Sequence, residues 1–189
     1  MAYGNCLQGA YNILNPRKYD GDASNCIYRS SWERAAFVFC DTTPSILKWS
    51  SEEEVIPYIS PLDGKQHRYF MDLKVWTRTK DGGVAITLIE IKPLAQTKPP
   101  KRGRKAEDKF LKEVARWKVN EAKWKFTEEY CRAKGWNFII WTEDQLVNGA
   151  QADKNAAKAS RKHTRDRKKL LKEAGIKQYN LGKIIKKIK

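Results

Sequence analysis

A chain of 189 residues, 41% hydrophobic and 32% charged, has the material for one domain with a proper core plus extensions, and no apolar run in it approaches the ~18 residues of a membrane span. A formal charge of +16 favours a polyanionic partner, nucleic acid before membrane. Four cysteines without a C-x-x-C spacing, with only His67 and His163 to join them, argue against a zinc site and a disulfide framework; the start lacks a signal-peptide layout, and a reducing cytoplasm is expected.

The charge is uneven. Residues 1–149 hold 24 basic and 19 acidic side chains, a net +5, whereas 150–189 hold 14 and 3, a net +11. The chain therefore divides into an irregular N-terminal strap over 1–27, a mixed domain over 28–149 and a basic tail over 150–189.

The strap is rich in Asn, Gly and Asp around a Pro16-Arg17-Lys18 turn, and its function cannot be read. A helix is expected from Ser30, because Ser30 and Glu33 fit a capping box and Trp32, Ala35, Ala36 and Phe39 recur at helical spacing before Asp41-Thr42-Thr43-Pro44. Glu33 has two readings here: a cap reaching back to the Ser30 N–H, or a metal ligand. Ile46–Trp49 and Glu54–Ile59 suggest one or two strands, with Pro57 favouring an edge. Pro61-Leu62-Asp63-Gly64-Lys65 is a turn.

Residues 68–92 carry the chemistry. Tyr69, Met71, Leu73 and Val75 alternate with Phe70, Asp72, Lys74 and Trp76 in the period of a strand, which points Asp72 away from the most apolar face. After a turn at Lys80-Asp81-Gly82-Gly83, the β-branched run from Val84 to Lys92 reads as a buried strand that ends at Pro93. Glu90 and Lys92 share one face of its end. A carboxylate on one strand, with a carboxylate and an amine two residues apart on the next, can hold a divalent cation beside a lysine. A solvated strand could carry the same charges as ordinary salt bridges, but this strand is otherwise apolar.

Thr97 to Lys105 brings Lys98, Lys101, Arg102, Arg104 and Lys105 together on an exposed Pro- and Gly-bearing loop, either a phosphate-binding segment or a solvated connection. From Ala106 to about Lys134 a long helix is expected, acidic at its start and stopped by Gly135. Leu111, Ala115, Val119, Ala122, Phe126 and Tyr130 form one apolar stripe, and Phe110, Val114, Trp117 and Trp124 a second. Between them lie Lys112, Arg116, Asn120 and Lys123, a sector for DNA or for solvent. Trp136–Trp141 reads as a further strand, and Thr142-Glu143-Asp144 as the start of a helical turn. In the tail, Gln151–Glu173 can be helical, and the lysine-interleaved end fits docking on a partner, lying on phosphates, or disorder.

In that order the elements resemble the PD-(D/E)XK nuclease superfamily. More narrowly, Tyr28-Arg29-Ser30-Ser31-Trp32-Glu33, Val55-Ile56-Pro57-Tyr58, Arg68-Tyr69-Phe70-Met71-Asp72, Ile89-Glu90-Ile91-Lys92-Pro93 and Thr142-Glu143-Asp144 resemble the head completion nucleases of T-even-like tailed bacteriophages. Met71 stands where the superfamily often has a proline. The resemblance covers about residues 15–149 and leaves the tail out. It implies a mixed α/β (α+β) fold with a restriction-endonuclease-like, TnsA-like core: helix, three strands, helix, strand. It also implies a Mg²⁺-dependent endodeoxyribonuclease, with Mn²⁺ as a substitute ion, acting in head completion after DNA packaging. Glu33, Asp72, Glu90 and Lys92 would be catalytic; Asp72, Glu90, the Ile91 carbonyl and Glu33, directly or through water, would hold the metal. Double-stranded DNA and portal or neck proteins would be the partners, with no membrane and no small-molecule cofactor. The host cytoplasm during assembly, or the virion head–neck, would be the location. A structural head–neck protein with weak catalysis and a TnsA-like transposon-end nuclease are the other readings.

Overall fold

A computed structural model of the chain describes residues 8–146, which fall within the unit Met1–Ala150. The basic tail and the readings placed on it lie outside the described residues.

The strap is held by two short strands, β1 (Gly9–Ala10) and β2 (Ile27–Tyr28), paired antiparallel. Helix α1 spans Ser31–Thr42 with Ser30 as its N-cap. Five strands follow: β3 (Ile46–Ser50), β4 (Val55–Ile59), β5 (Gln66–Phe70), β6 (Leu73–Arg78) and β7 (Val84–Ile91). Helix α2 (Glu107–Lys134) ends at Gly135, whose φ of 66° is the left-handed conformation that closes a helix, and β8 (Asn137–Trp141) completes the fold. No helix among the described residues is long and apolar enough to cross a membrane.

The main sheet runs β3-β6-β7-β8. Its first three strands are antiparallel, and β8 joins parallel to β7 because α2 carries the chain back across the sheet. Strands β4 and β5 form a separate hairpin, which leaves Pro57 in a two-stranded sheet where its missing N–H is tolerated. Three of the five strands thus build the main sheet, as the implied core requires, and the hairpin is an addition to it.

The sheet is buried on both faces. Phe37, Trp49, Leu73, Val75, Ile89 and Ile91 form a core with α1, while Ile56, Tyr58, Tyr69, Met71, Leu88 and Cys131 form another with α2 and the hairpin. The neighbours Leu88 and Ile89 therefore point to opposite cores, the alternation of a strand. The run from Tyr69 to Val75 is not one strand, however. Its alternation is unbroken, yet Tyr69 and Met71 belong to the α2 core and Leu73 and Val75 to the α1 core. The chain changes sheets at Met71-Asp72. Met71 is clamped there, donating its N–H to Glu54 O at 3.0 Å and accepting from Glu52 N–H at 3.0 Å. Asp72 accordingly lies between strands rather than at the close of one.

Helix α2 departs from its two expected stripes. Its buried residues are Asn120 from the sector between them, Trp124 from the second stripe, and Thr127 and Cys131, which neither stripe includes, while Leu111 of the first stripe is 57% exposed. The sector read as polar is partly the packed face. Glu54 anchors the helix to the hairpin, accepting from Lys74 Nζ at 2.6 Å, from Lys134 Nζ at 3.4 Å and from the Tyr130 hydroxyl.

The strap, unreadable in sequence, closes the far end of α1. Asp41, fully buried, accepts from the Tyr11 hydroxyl and from the N–H groups of Leu14 and Asn15. Lys18 Nζ donates to the carbonyls of Cys40, Asp41 and Thr43 at 2.8–3.0 Å, placing a cation on the negative end of the helix.

Candidate active site

Asp72 and Glu90 meet at the end of the β6–β7 pair. The Ile91 N–H donates to Asp72 Oδ2 at 2.7 Å, which ties the segment between β5 and β6 to the last residue of β7. Glu90 precedes it on the α2 side of the sheet and is 1% exposed. One of its oxygens, Oε1, is 2.7 Å from Lys92 Nζ; the other, Oε2, is buried with no hydrogen-bond partner. Such an orphan costs about 1–3 kcal/mol, and more when charged. Lys92 itself is held at the backbone by β8, its N–H donating to Trp141 O at 2.9 Å.

Electrostatics follow from this crowding. Burial pushes the Asp72 carboxyl well above the ordinary carboxylate range; the Glu90 and Glu33 charges add to the effect, while Lys92 and the Ile91 N–H oppose it. Burial works against the Lys92 ammonium, but Glu90 and Asp72 outweigh it, so Lys92 stays charged beyond the usual lysine range. A charged Lys92 cannot serve as a base.

Glu33 stands beside the pair, with both oxygens engaged. It accepts from the Arg29 N–H at 2.7 Å and from the Ser30 hydroxyl at 2.9 Å, while Ser30 Oγ accepts from the Glu33 N–H at 3.1 Å. The capping box therefore forms, with Glu33 reaching the N–H of Arg29 rather than that of Ser30. Its charge is still felt by Asp72 and Lys92.

Among the described residues no group of three or more His, Cys, Asp and Glu side chains is placed to hold a metal ion. Two carboxylates with one buried, unpartnered oxygen do fit a hard cation that keeps several waters, since Mg²⁺ is commonly bound by one or two carboxylates plus substrate phosphate.

The residues expected on nucleic acid separate into three groups. Lys98, Lys101, Arg102, Arg104 and Lys105 are all exposed; Arg102 pairs with Glu107 and Lys105 with Glu113, each in the first two turns of α2. Lys112 and Arg116 are exposed on α2. Asn120 is 6% exposed and is packed inward, so the expectation of an exposed DNA contact there is corrected by the burial of that face of α2. Lys123 is half-buried, with its Nζ over the rings of Tyr58 and Tyr69.

Two site neighbours escaped the sequence reading. Arg29 pairs with Glu52, and Glu33 and Asp72 also favour its charge. Glu52 holds a φ of 58°, unusual for a residue with a side chain. Tyr69 has a buried hydroxyl beside Glu90; burial, the Glu90 charge and a hydroxyl–Glu90 interaction that falls short of full hydrogen-bond geometry push its phenol up. Both lie inside motifs quoted from the sequence, Arg29 in Tyr28–Glu33 and Tyr69 in Arg68–Asp72, but neither stood out there as a site neighbour.

Residues 43–143 match the family described as TnsA-like endonuclease N terminal. The chain is also 40% identical over 150 residues to the head completion nuclease of Enterobacteria phage T4, covering 77% of this chain and 95% of that protein. The matched segment contains Asp72, Glu90 and Lys92, the residues that the fold brings to one sheet end. The chain belongs to the TnsA-like endonuclease family and is a homologue of a phage head completion nuclease, with a nuclease role in head completion.

Proposed function

We propose that the protein is a Mg²⁺-dependent endodeoxyribonuclease of the PD-(D/E)XK type, cutting phosphodiester bonds of double-stranded DNA after packaging. The observation that carries this reading is the pairing of a buried, unpartnered Glu90 oxygen with an Asp72 carboxylate whose ionised form is disfavoured. Both groups gain from a cation.

Asp72, Glu90 and the Ile91 carbonyl would hold the ion, and Glu33, occupied at its cap, would reach it through water. When bound, Mg²⁺ supplies Lewis acidity toward a phosphoryl oxygen and lowers the pKa of a water. The Ile91 N–H fixes the Asp72 carboxylate, and the Trp141 carbonyl fixes the backbone of Lys92. Lys92, charged, donates to the attacking water or offsets charge on the phosphoryl oxygens. Lys98, Lys101 and Arg104, which make no ion pair among the described residues, contact phosphates together with Arg102, Lys105, Lys112 and Arg116. Coverage of 95% of a head completion nuclease favours portal or neck proteins as partners over a transposase. The same coverage favours work in the host cytoplasm during assembly or at the virion head–neck.

The test is cleavage of linear and supercoiled DNA with Mg²⁺ or Mn²⁺, then with EDTA, by wild type and by folded Lys92→Ala. Metal-dependent cutting that falls at least ~10²-fold in the variant is expected, the scale of losing one transition-state donor. Equal cutting by both proteins would overturn the assignment. If neither protein cuts, though DNA is bound, the structural head–neck reading gains.

A further inference from the structure

Lys123 is an anomaly among the partly buried lysines. Lys18 donates to three carbonyls, Lys74 is paired with Glu54 and Lys92 with Glu90. Lys123 Nζ makes no hydrogen bond and no ion pair among the described residues. It rests 4.8 Å from the Tyr69 ring centroid and 5.6 Å from that of Tyr58, in an aromatic cradle that the hairpin supplies. An ammonium withdrawn from water without acceptors is costly, and a ring face returns only about 0.5–2 kcal/mol. The three N–H donors remain unused.

Its surroundings say what would use them. Tyr69, under the ammonium, has its own hydroxyl buried against the Glu90 charge. Burial depresses the Lys123 pKa, the nearby Lys92 charge depresses it further, and Glu90 and Asp72 act the other way. Lys123 is thus within electrostatic reach of every charged member of the β6–β7 site while bonded to none of them. Lys92, by contrast, is occupied by Glu90 Oε1. A cradled, unpaired cation beside two carboxylates is suited to an anion that arrives from outside.

We propose that Lys123 is a second catalytic cation, its ammonium donating from α2 to a non-bridging oxygen of the scissile phosphate. The inference rests on the nuclease reading above. Lys123 keeps its proton throughout: the bond from water oxygen to phosphorus forms as the bond to the leaving oxygen breaks, the water gives a proton to solvent, and the leaving oxygen takes one from solvent. The cradle fixes the stem of the side chain, so that the charge is in place before DNA arrives.

Lys123→Met keeps the apolar stem on the rings and removes the charge, whereas Lys123→Arg keeps the charge. Single-turnover cleavage, thermal unfolding and duplex binding against salt, with Ca²⁺ in place of Mg²⁺, are measured for each variant. The Met variant is expected to melt no lower than wild type and to cleave about 10²-fold more slowly. The Arg variant is expected to recover at least ~10-fold of that loss, and the slope of log K against log salt is expected to fall by ~0.9 in the Met variant. A Met variant that is folded and cleaves at the wild-type rate overturns the proposal. So does equal loss in Met and Arg variants with lowered melting, which marks a packing role. If wild type cuts no DNA with any divalent ion, the nuclease reading itself has failed, and an unchanged salt slope in the Met variant then removes Lys123 from DNA contact as well.

Discussion

Asp72 ties function to stability at the level of one side chain. In the unfolded chain it ionises near the ordinary value of ~3.9, but in the folded protein burial and Glu90 raise that value well above it. The folded state therefore binds the proton more tightly. Its stabilising contribution is complete below the ordinary value and is lost as pH climbs through the folded one, so that at neutral pH the ionised carboxylate is a net cost. Asp72→Asn is expected to raise the melting temperature of the metal-free protein at pH 7, with the gain shrinking toward pH 4. Added Mg²⁺ should raise the melting temperature of wild type and not that of the variant. A lower melting temperature for Asp72→Asn at pH 7 would contradict this account. Glu90 and Lys92 were legible in sequence because charges at the end of an otherwise apolar strand have few bland explanations, and Asp72 because the neighbouring segment sets a carboxylate beside them, although it lies between strands. Tyr69 was not, since a tyrosine in an apolar stripe looks ordinary, and Lys123 was legible only as one of several α2 residues for DNA or solvent, not as a neighbour of the site, until the hairpin brings the two together.

Among the elements, the passage from β5 to β6 shows where a correct pattern conceals a break. Period-2 alternation reports that successive side chains face opposite ways, but not which sheet lies on either side. Tyr69–Val75 keeps its phase while the chain leaves the hairpin and enters the main sheet, and the only external mark is the Met71 backbone, clamped by Glu52 and Glu54. That clamp also gives a residue with a backbone N–H a role at position 71. Here the position-71 N–H is an active donor, to Glu54 O, beside a side chain that is 1% exposed. Met71→Pro is expected to cost roughly 2–4 kcal/mol in urea unfolding, from the lost hydrogen bond, the unsatisfied carbonyl and the emptied core site. An unaltered midpoint would mean that the clamp is dispensable. Helix α1 was legible at both ends, through its capping box and its stop near Asp41-Thr42-Thr43-Pro44, whereas the strap that holds the far end was not, because the donors to Asp41 and the carbonyls that Lys18 caps lie some 22–30 residues from their partners in sequence.

For the whole molecule, the division of charge is the main prediction. The region before residue 150 has a net +5 and the tail a net +11, although the tail lies outside the described residues. If the tail supplies non-specific attraction to DNA, removing 150–189 should flatten the slope of log K against log salt by ~0.9 for each phosphate it had neutralised, while cleavage at saturating DNA persists. An unchanged slope would place the binding charge on the loop and α2 instead. The hydrogen bond from the Lys92 N–H to the Trp141 carbonyl has a further consequence, in time rather than space. The strand bearing Lys92 is flanked by β8, which leaves the ribosome some fifty residues after Glu90, at roughly 5–20 residues per second. Until then β7 is an edge strand, its lysine unanchored at the backbone. A nascent chain thus holds Asp72, Glu90 and Lys92 before it holds the strand that fixes the Lys92 backbone, so that the candidate site is completed last.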